Sequence, residues 1–117
     1  MFSYYIFKAI DTVCRAAYPL DPFFARIWKF CFEGGQDAEF KRNDSQSFHI
    51  RNNLLWLKES GVDRLCIPNG ENLRRQILFS EHDDPSRGHP GTFKTYEFLK
   101  RKYFWPKMQA TVNQYVR

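Results

Sequence analysis

The spacing of apolar residues changes twice along the chain, and this change constrains the fold more than any other feature of the sequence. Residues 6–17 and 23–32 carry apolar side chains at the spacing of a helix. Residues 48–67 alternate between apolar and polar side chains or form short apolar runs, which is typical of strands. Residues 73–116 return to helical spacing. The sequence therefore predicts an α+β fold, with N-terminal helices, a small antiparallel β unit and a compact domain of three helices.

Two helices are predicted before the β unit. The first should end at Tyr18-Pro19, because the residue before a proline disfavours the helical conformation. Asp21 is suited to cap the second helix, Pro22 to fill its first position and Gly34-Gly35 to end it. This second helix is apolar on nearly all of its faces, so it needs cover from the rest of the chain or from a partner.

The β unit is predicted from residue 48 onward, after a polar loop over residues 36–46. Asn52-Asn53 and the segment around Gly61 are suited to tight turns that join antiparallel strands. We divide the chain into an N-terminal helical arm and linker, residues 1–46, and a second part, residues 47–117, that holds the β unit and the last three helices.

Three helices are expected in the C-terminal part. The first spans about Glu71 to His82, and the second begins near Thr92 and carries Tyr96, Leu99 and Tyr103 on its inner face. The third begins at Pro106, a residue suited to a first helical turn. Trp105 is expected to be a core residue at the junction of the last two helices.

All of the net charge of +5 lies in residues 51–117, which carry twelve basic and seven acidic residues. From residue 85 onward, seven basic residues stand against one acidic residue, Glu97. Concentrated positive charge favours a polyanionic partner such as nucleic acid. It is equally a property of solvated helix faces, and the charge pattern alone leaves both interpretations open.

The cysteines predict a reduced chain. Cys14, Cys31 and Cys66 are odd in number, widely spaced and contain no Cys-x-x-Cys pair, so no disulfide framework is indicated. Reduced cysteines favour an intracellular setting. The apolar start of the chain has no basic segment or cleavage site of a signal peptide, and no stretch approaches the ~20 apolar residues of a membrane span. We therefore expect an intracellular protein with no membrane partner.

His82 and His89 are the candidate metal ligands. One lies at the end of a predicted helix and the other in the loop that follows, so the two imidazoles could meet at one point. Imidazole nitrogen is a ligand of Zn²⁺, and a structural zinc site takes four ligands. A pair of surface histidines would give the same spacing. Cys66, between two apolar residues of a strand, is better interpreted as a small buried side chain than as a ligand, and His49 is assigned no role.

The segments around these histidines resemble a known family. HDDPSRGHPG at residues 82–91 and KTYEFLKRKYFWPKM at residues 94–108 are the most specific, and residues 18–24, 64–68 and 73–78 extend the resemblance. Together they resemble the His-His-Cys-Cys zinc-binding domain at the N-terminus of the integrases of gypsy-type retrotransposons.

The resemblance implies a metal site of which this chain holds half. His82 and His89 match the two histidine ligands of the family, whose Cys-x-x-Cys pair follows the Tyr115-Val116 element. The sequence stops at Arg117, before such a pair. We therefore expect an incomplete site that binds zinc weakly, and no other cofactor, since thiolates supply most of the charge that neutralises Zn²⁺.

The resemblance also implies a role in DNA integration through nucleic-acid binding and integrase multimer assembly, inside a host nucleus or cytoplasmic particle. The chain is not expected to be an enzyme, because integrase catalysis needs a carboxylate trio on a separate fold, and we assign no catalytic residue and no small-molecule substrate. DNA ends and a second copy of the chain are the expected partners. An alternative is a protein interaction module from a truncated retroelement, with no metal bound. The candidate nucleic-acid-binding residues are Lys94, Lys100, Arg101, Lys102 and Lys107.

Overall fold

A computed structural model of the chain describes residues 2–70, 72–82 and 92–116. For residues 2–9, 81, 82, 92 and 93 it describes the backbone only. Over these residues the predicted α+β fold is confirmed. The helices are α1 (Phe2–Ala17), α2 (Ala25–Gly34), α3 (Leu73–His82), α4 (Thr92–Leu99) and α5 (Met108–Val116), with a short 3-10 turn at Tyr18–Leu20. The strands are β1 (Phe40–Lys41), β2 (Gln46–Arg51), β3 (Leu54–Glu59), β4 (Val62–Cys66) and β5 (Tyr103–Phe104).

The five strands form one sheet in the order β1-β2-β3-β4-β5. The first four are antiparallel neighbours, as predicted, but β5 runs parallel to β4, with Leu65 opposite Tyr103 and Cys66 opposite Phe104. The sheet is therefore mixed, and the expectation of a purely antiparallel unit is wrong. Strand β1 lies inside the predicted loop and pairs with β2.

Tyr103 was expected on the inner face of the second C-terminal helix, and this prediction is wrong. Helix α4 ends at Leu99, and the backbone then turns through residues 100–102. The turn frees the next backbone groups for β4: Leu65 N donates to Lys102 O at 2.7 Å and Ile67 N donates to Phe104 O at 2.9 Å. Strand pairing here replaces one further turn of helix.

Both predicted tight turns are confirmed as two-residue hairpin loops. Asn52 and Asn53 have φ of 55° and 61°, and Ser60 and Gly61 have φ of 51° and 81°. Two successive residues with positive φ make the turn that matches the twist of antiparallel strands, and asparagine and glycine tolerate it best. These turns set the register of β2, β3 and β4.

Three aromatic rings join the N-terminal helices to the sheet. Phe24, which precedes α2, Phe48 of β2 and Phe104 of β5 lie with ring centroids 5.9–6.4 Å apart. Phe24 and Phe48 are fully buried. Offset and edge-on ring pairs of this kind contribute ~0.5–1.5 kcal/mol each beyond the burial of their area. The helix predicted to need cover is therefore covered by the sheet on one side.

Tyr18 fixes the end of α1 against the sheet. Its side chain is fully buried, its ring stacks on Trp28 with centroids 4.9 Å apart, and its hydroxyl donates to Cys66 O at 2.6 Å. Burial raises the pKa of the Tyr18 hydroxyl far above its ordinary value, so the group remains a neutral donor. The helix end predicted at Tyr18-Pro19 is thus also a contact point with β4.

Asp21 and Pro22 were expected to start the second helix, but α2 begins at Ala25, and Asp21 instead holds the turn that leads into it. Its Oδ2 accepts hydrogen bonds from Phe23 N and Phe24 N at 2.9 Å each, and its backbone O accepts one from Ala25 N at 2.9 Å. Its Oδ1 accepts a further bond, from Asn69 N at 2.8 Å. The side chain is 4% exposed. One carboxylate therefore joins the segment before α2 to the segment before α3.

The three C-terminal helices are present, but the compact three-helix zinc domain expected from the sequence is not confirmed. Helix α5 begins at Met108 rather than at Pro106, and residues 83–91, which hold the predicted loop, lie outside the described residues. Trp105 is fully buried, as predicted, and its Nε1 donates to Thr111 Oγ1 at 3.2 Å. The division of the chain at residue 46 stays a prediction. No helix within the described ranges is both long enough and apolar enough to span a bilayer.

We expect the change Asp21→Ala to lower the free energy of unfolding by about 2–4 kcal/mol, because three backbone N–H groups lose an ionised acceptor. Urea denaturation followed by circular dichroism measures the change. Asp44→Ala, in the exposed loop before β2, removes the same charge from the surface and should change stability by less than about 0.5 kcal/mol. Equal losses in the two variants would contradict the role given to Asp21.

Candidate functional site

The two histidines predicted as metal ligands are placed only in part. His82 is the last residue of α3, with its side chain outside the description, and His89 lies outside the described residues altogether. Their convergence on one centre therefore stays a prediction.

The described side chains do not supply further zinc ligands. Across the part of the chain that the structure describes, no group of three or more His, Cys, Asp or Glu residues could hold a metal ion. Cys14, Cys31 and Cys66 are buried free thiols. Burial raises the pKa of Cys14 to about 12 and that of Cys66 well above its ordinary value. Because zinc binds the thiolate, these neutral thiols do not fit a zinc site, and the interpretation of Cys66 as a buried side chain is confirmed.

All five candidate nucleic-acid-binding residues are exposed. Lys94 lies on α4 and Lys107 immediately before α5, whereas Lys100, Arg101 and Lys102 form the turn between α4 and β5. The sequence placed these last three on a helix face, and that placement is wrong for the reason given for Tyr103. Their outward direction has another cause: Leu99 before the turn and Tyr103 after it are both buried, so the turn itself faces solvent.

Three of the five cations meet at one cleft. Lys100, Arg101 and Lys107 line a cleft of about 650 Å³ between the sheet and the C-terminal helices. Tyr96, Phe104 and Trp105 are among its other lining residues. Lys94 and Lys102 do not line it. The fold thus brings together residues up to seven positions apart on opposite sides of β5.

Arg64 of β4 also lines this cleft, and sequence reasoning missed it. Its side chain is nearly buried: Nε donates to Tyr103 O at 3.0 Å, Nη1 donates to Glu59 Oε1 at 3.0 Å, and the guanidinium lies 5.3 Å from the centroid of the Phe104 ring. The sequence offered one signal for Arg64, which is that it directly precedes the apolar run of β4. Its hydrogen bonds make Arg64 a structural cation that ties β3, β4 and β5 together.

Nearby acidic residues do not cancel the positive charge that Lys100, Arg101 and Lys107 bring to the cleft. Among the described lining residues the carboxylate is Glu59, whose two oxygens accept from Arg64 and from Gln46 Nε2. Lys100 Nζ lies 3.4 Å from Glu97 Oε2, in a pair in which Lys100 is exposed and Glu97 partly exposed. Exposed pairs of this kind are worth only ~0–1 kcal/mol and exchange readily with other anions. The cleft can therefore attract a phosphate-bearing ligand.

Comparison with known proteins found one family that matches the C-terminal part of the chain and a relative that matches most of its length. Residues 69–117 match the family described as integrase zinc binding domain. The chain is 34% identical over 92 residues to the retrovirus-related Pol polyprotein from transposon 412 of Drosophila melanogaster, a match that covers 77% of this chain and 7% of that protein. The chain thus spans a small fraction of the length of this relative. No solved structure matches the chain significantly.

Proposed function

Residues 69–117 are an integrase zinc-binding domain, in a chain distantly homologous to a transposon Pol polyprotein, and on this premise we propose that the chain binds DNA through the cleft lined by Lys100, Arg101 and Lys107. The family predicted from residues 82–91 and 94–108 is confirmed by this match. The chain covers only a small part of a Pol polyprotein, and no catalytic domain is evident in it. Its contribution to integration would therefore be non-catalytic.

The observation that carries the proposal is the convergence of three exposed cations on one cleft. Lysine and arginine side chains bind phosphate oxygens and release the counterions that surround DNA, which makes affinity fall steeply with salt. Such contacts position a protein on the duplex without reading its sequence. Lys94 on α4 and Lys102 in the turn after it are both exposed and add positive charge beyond the cleft.

We expect the triple change Lys100→Gln, Arg101→Gln, Lys107→Gln to weaken binding to a short DNA duplex and to flatten its salt dependence. Each lost phosphate contact should make the negative slope of log affinity against log salt shallower by about 0.9. Fluorescence anisotropy across a salt series measures both quantities.

The matched control changes three exposed lysines away from the cleft: Lys29→Gln, Lys41→Gln, Lys58→Gln. It removes the same net charge, so a general effect of charge would appear equally in both triples. Equal slopes in the two variants, or a wild-type affinity that does not change with salt, would refute the proposal.

For the metal, we propose that His82 and His89 are the zinc-binding residues of this chain and that they bind weakly. Two neutral nitrogens without a thiolate leave the charge of Zn²⁺ largely uncompensated and its remaining positions open to water. When bound, zinc would join the end of α3 to the loop after it. The described thiols do not fit the metal, so no further residue is assigned to it.

Zinc uptake by the full chain, measured against a chromogenic chelator, tests this assignment. The double change His82→Gln, His89→Gln should lower the zinc affinity at least tenfold, whereas His49→Gln, the third histidine of the chain, should leave it unchanged. Loss of zinc in the His49 variant, or equal zinc binding by all three proteins, would exclude these ligands.

A second candidate function is self-association through α2, and exposed apolar residues favour it. Phe32 is 66% exposed and stacks on Trp28 with centroids 5.9 Å apart, and Phe30 is 52% exposed. Phe30 packs edge-on against Phe40 of β1, with ring centroids 5.4 Å apart, so Phe30 and Phe32 lie on different sides of α2 and each leaves part of its ring exposed. Exposed aromatic patches are typical of protein interfaces. A second copy of the chain is the occupant that multimer assembly would require.

Light scattering of the full chain should then show a species larger than a monomer, and Phe32→Ser should shift it towards monomer. Val62→Ser removes a comparably exposed apolar side chain from β4 and should have no effect. A wild-type chain that remains monomeric at high concentration would rule out this function while leaving DNA binding intact.

A further inference from the structure

A second pocket, separate from the basic cleft, lies between α3 and α5. It has a volume of about 360 Å³, within the range of small-molecule sites, and is lined by polar residues of both helices and of the segment before α3. Hydrogen-bonding side chains dominate this lining: Asn69, Asn72, Arg74, Arg75, Thr111 and Gln114. None of its described lining residues is acidic.

Arg74 is held in a fixed position at this pocket. Its Nε donates to Ile67 O at 3.1 Å, and its guanidinium lies 5.7 Å from the centroid of the Trp105 ring. Among the described residues its two terminal nitrogens have no hydrogen-bond partner, and the side chain is half-buried. Burial lowers the pKa of Arg74 below its ordinary value, and an arginine remains charged at neutral pH despite such a shift.

The acidic group that acts on Arg74 does not neutralise the pocket. Asp21 is that group, and its two carboxylate oxygens already accept three backbone N–H groups, from Phe23, Phe24 and Asn69. It lies outside the pocket lining. A half-buried, positively charged donor therefore lines a polar cavity to which the described residues contribute no carboxylate.

Arg75 supplies a second guanidinium from the next position of α3. It is exposed, and its guanidinium lies 5.5 Å from the centroid of the Tyr115 ring of α5. The amides of Asn69, Asn72 and Gln114 add neutral donors around the two cations. Thr111 adds none, because its hydroxyl already donates to Lys107 O.

We propose that this pocket binds a phosphate group through Arg74 and Arg75. A guanidinium group can donate two parallel hydrogen bonds to two oxygens of a phosphate. Two guanidinium groups and the side-chain amides together offer more donors than the two oxygens of a carboxylate can accept, which favours phosphate over a carboxylate as the ligand. The phosphate could be carried by a nucleic-acid backbone or by a free phosphate compound, and the chemistry of recognition is the same. The inference does not depend on the basic cleft, which shares no residue with this pocket.

Titration of the full chain with inorganic phosphate, followed by two-dimensional NMR of the amide groups, tests the proposal. Saturable shifts should appear at Asn69, Asn72 and Gln114, and they should persist in the triple variant of the basic cleft. Shifts confined to the turn at residues 100–102, or no saturation, would overturn it. The failure of this pocket and the failure of the cleft are therefore measured separately.

A second experiment measures the phosphate affinity of variants that keep the contacts of Arg74 with Ile67 and Trp105. Gln114→Glu puts a carboxylate into the pocket wall and should weaken phosphate binding about tenfold, since a like charge at close range costs ~1 kcal/mol or more. Arg75→Gln should weaken it similarly. Asn113→Asp adds the same charge at the exposed neighbouring position of α5, outside the pocket, and should change it less than about twofold. Equal effects of Gln114→Glu and Asn113→Asp would overturn the proposal.

A short single-stranded DNA oligonucleotide distinguishes the two sources of phosphate. Displacement of bound phosphate by the oligonucleotide, with the same dependence on Arg75, identifies the pocket as a contact for the nucleic-acid backbone. Retention of phosphate in excess oligonucleotide identifies a site for a free phosphate compound. Either result requires the saturable binding that the proposal predicts.

Discussion

The pairing of β5 with β4 is the contact on which the arrangement of the C-terminal half depends. Two residues, Tyr103 and Phe104, form this strand, and their backbone bonds to β4 fix where α4 ends and where α5 begins. The side chain of Phe104 then packs on Phe24 and Phe48, which belong to the N-terminal helical segment and to the sheet. Both the basic cleft and the burial of Arg64 result from this one short strand, because Tyr103 O accepts from Arg64.

Much of the fold could be predicted because its signals are local. The change of apolar period separates helices from strands, Asp21 holds the turn before α2, and the two hairpin turns fall where Asn52-Asn53 and Gly61 tolerate positive φ. Strands β1 and β5 could not be predicted, because two residues have no period. The apolar spacing of Tyr96, Leu99 and Tyr103 also fits one continuous helix. Tyr103 lies in a strand instead because its backbone pairs with β4, which is distant in sequence.

The candidate sites show the same limit. Exposure of the five cations followed from the sequence, since each lies beside apolar residues that must be buried. Their grouping did not, because the turn between α4 and β5 determines which of them face one cleft. Arg64 and Arg74 were missed as site residues for a related reason: each donates to a carbonyl group outside its own strand or helix. A single sequence shows which charges exist but not which backbone groups will hold them.

Strand β4 ends at Cys66, upstream of residue 69, where the match to the zinc-binding family begins. The strand that pairs with β5 therefore lies outside the segment by which the family is recognised. A recombination breakpoint at that boundary would separate two hydrogen-bonded neighbours and expose the Tyr103–Phe104 edge to water. The matched segment therefore completes its own sheet contact only with a strand that lies upstream of it.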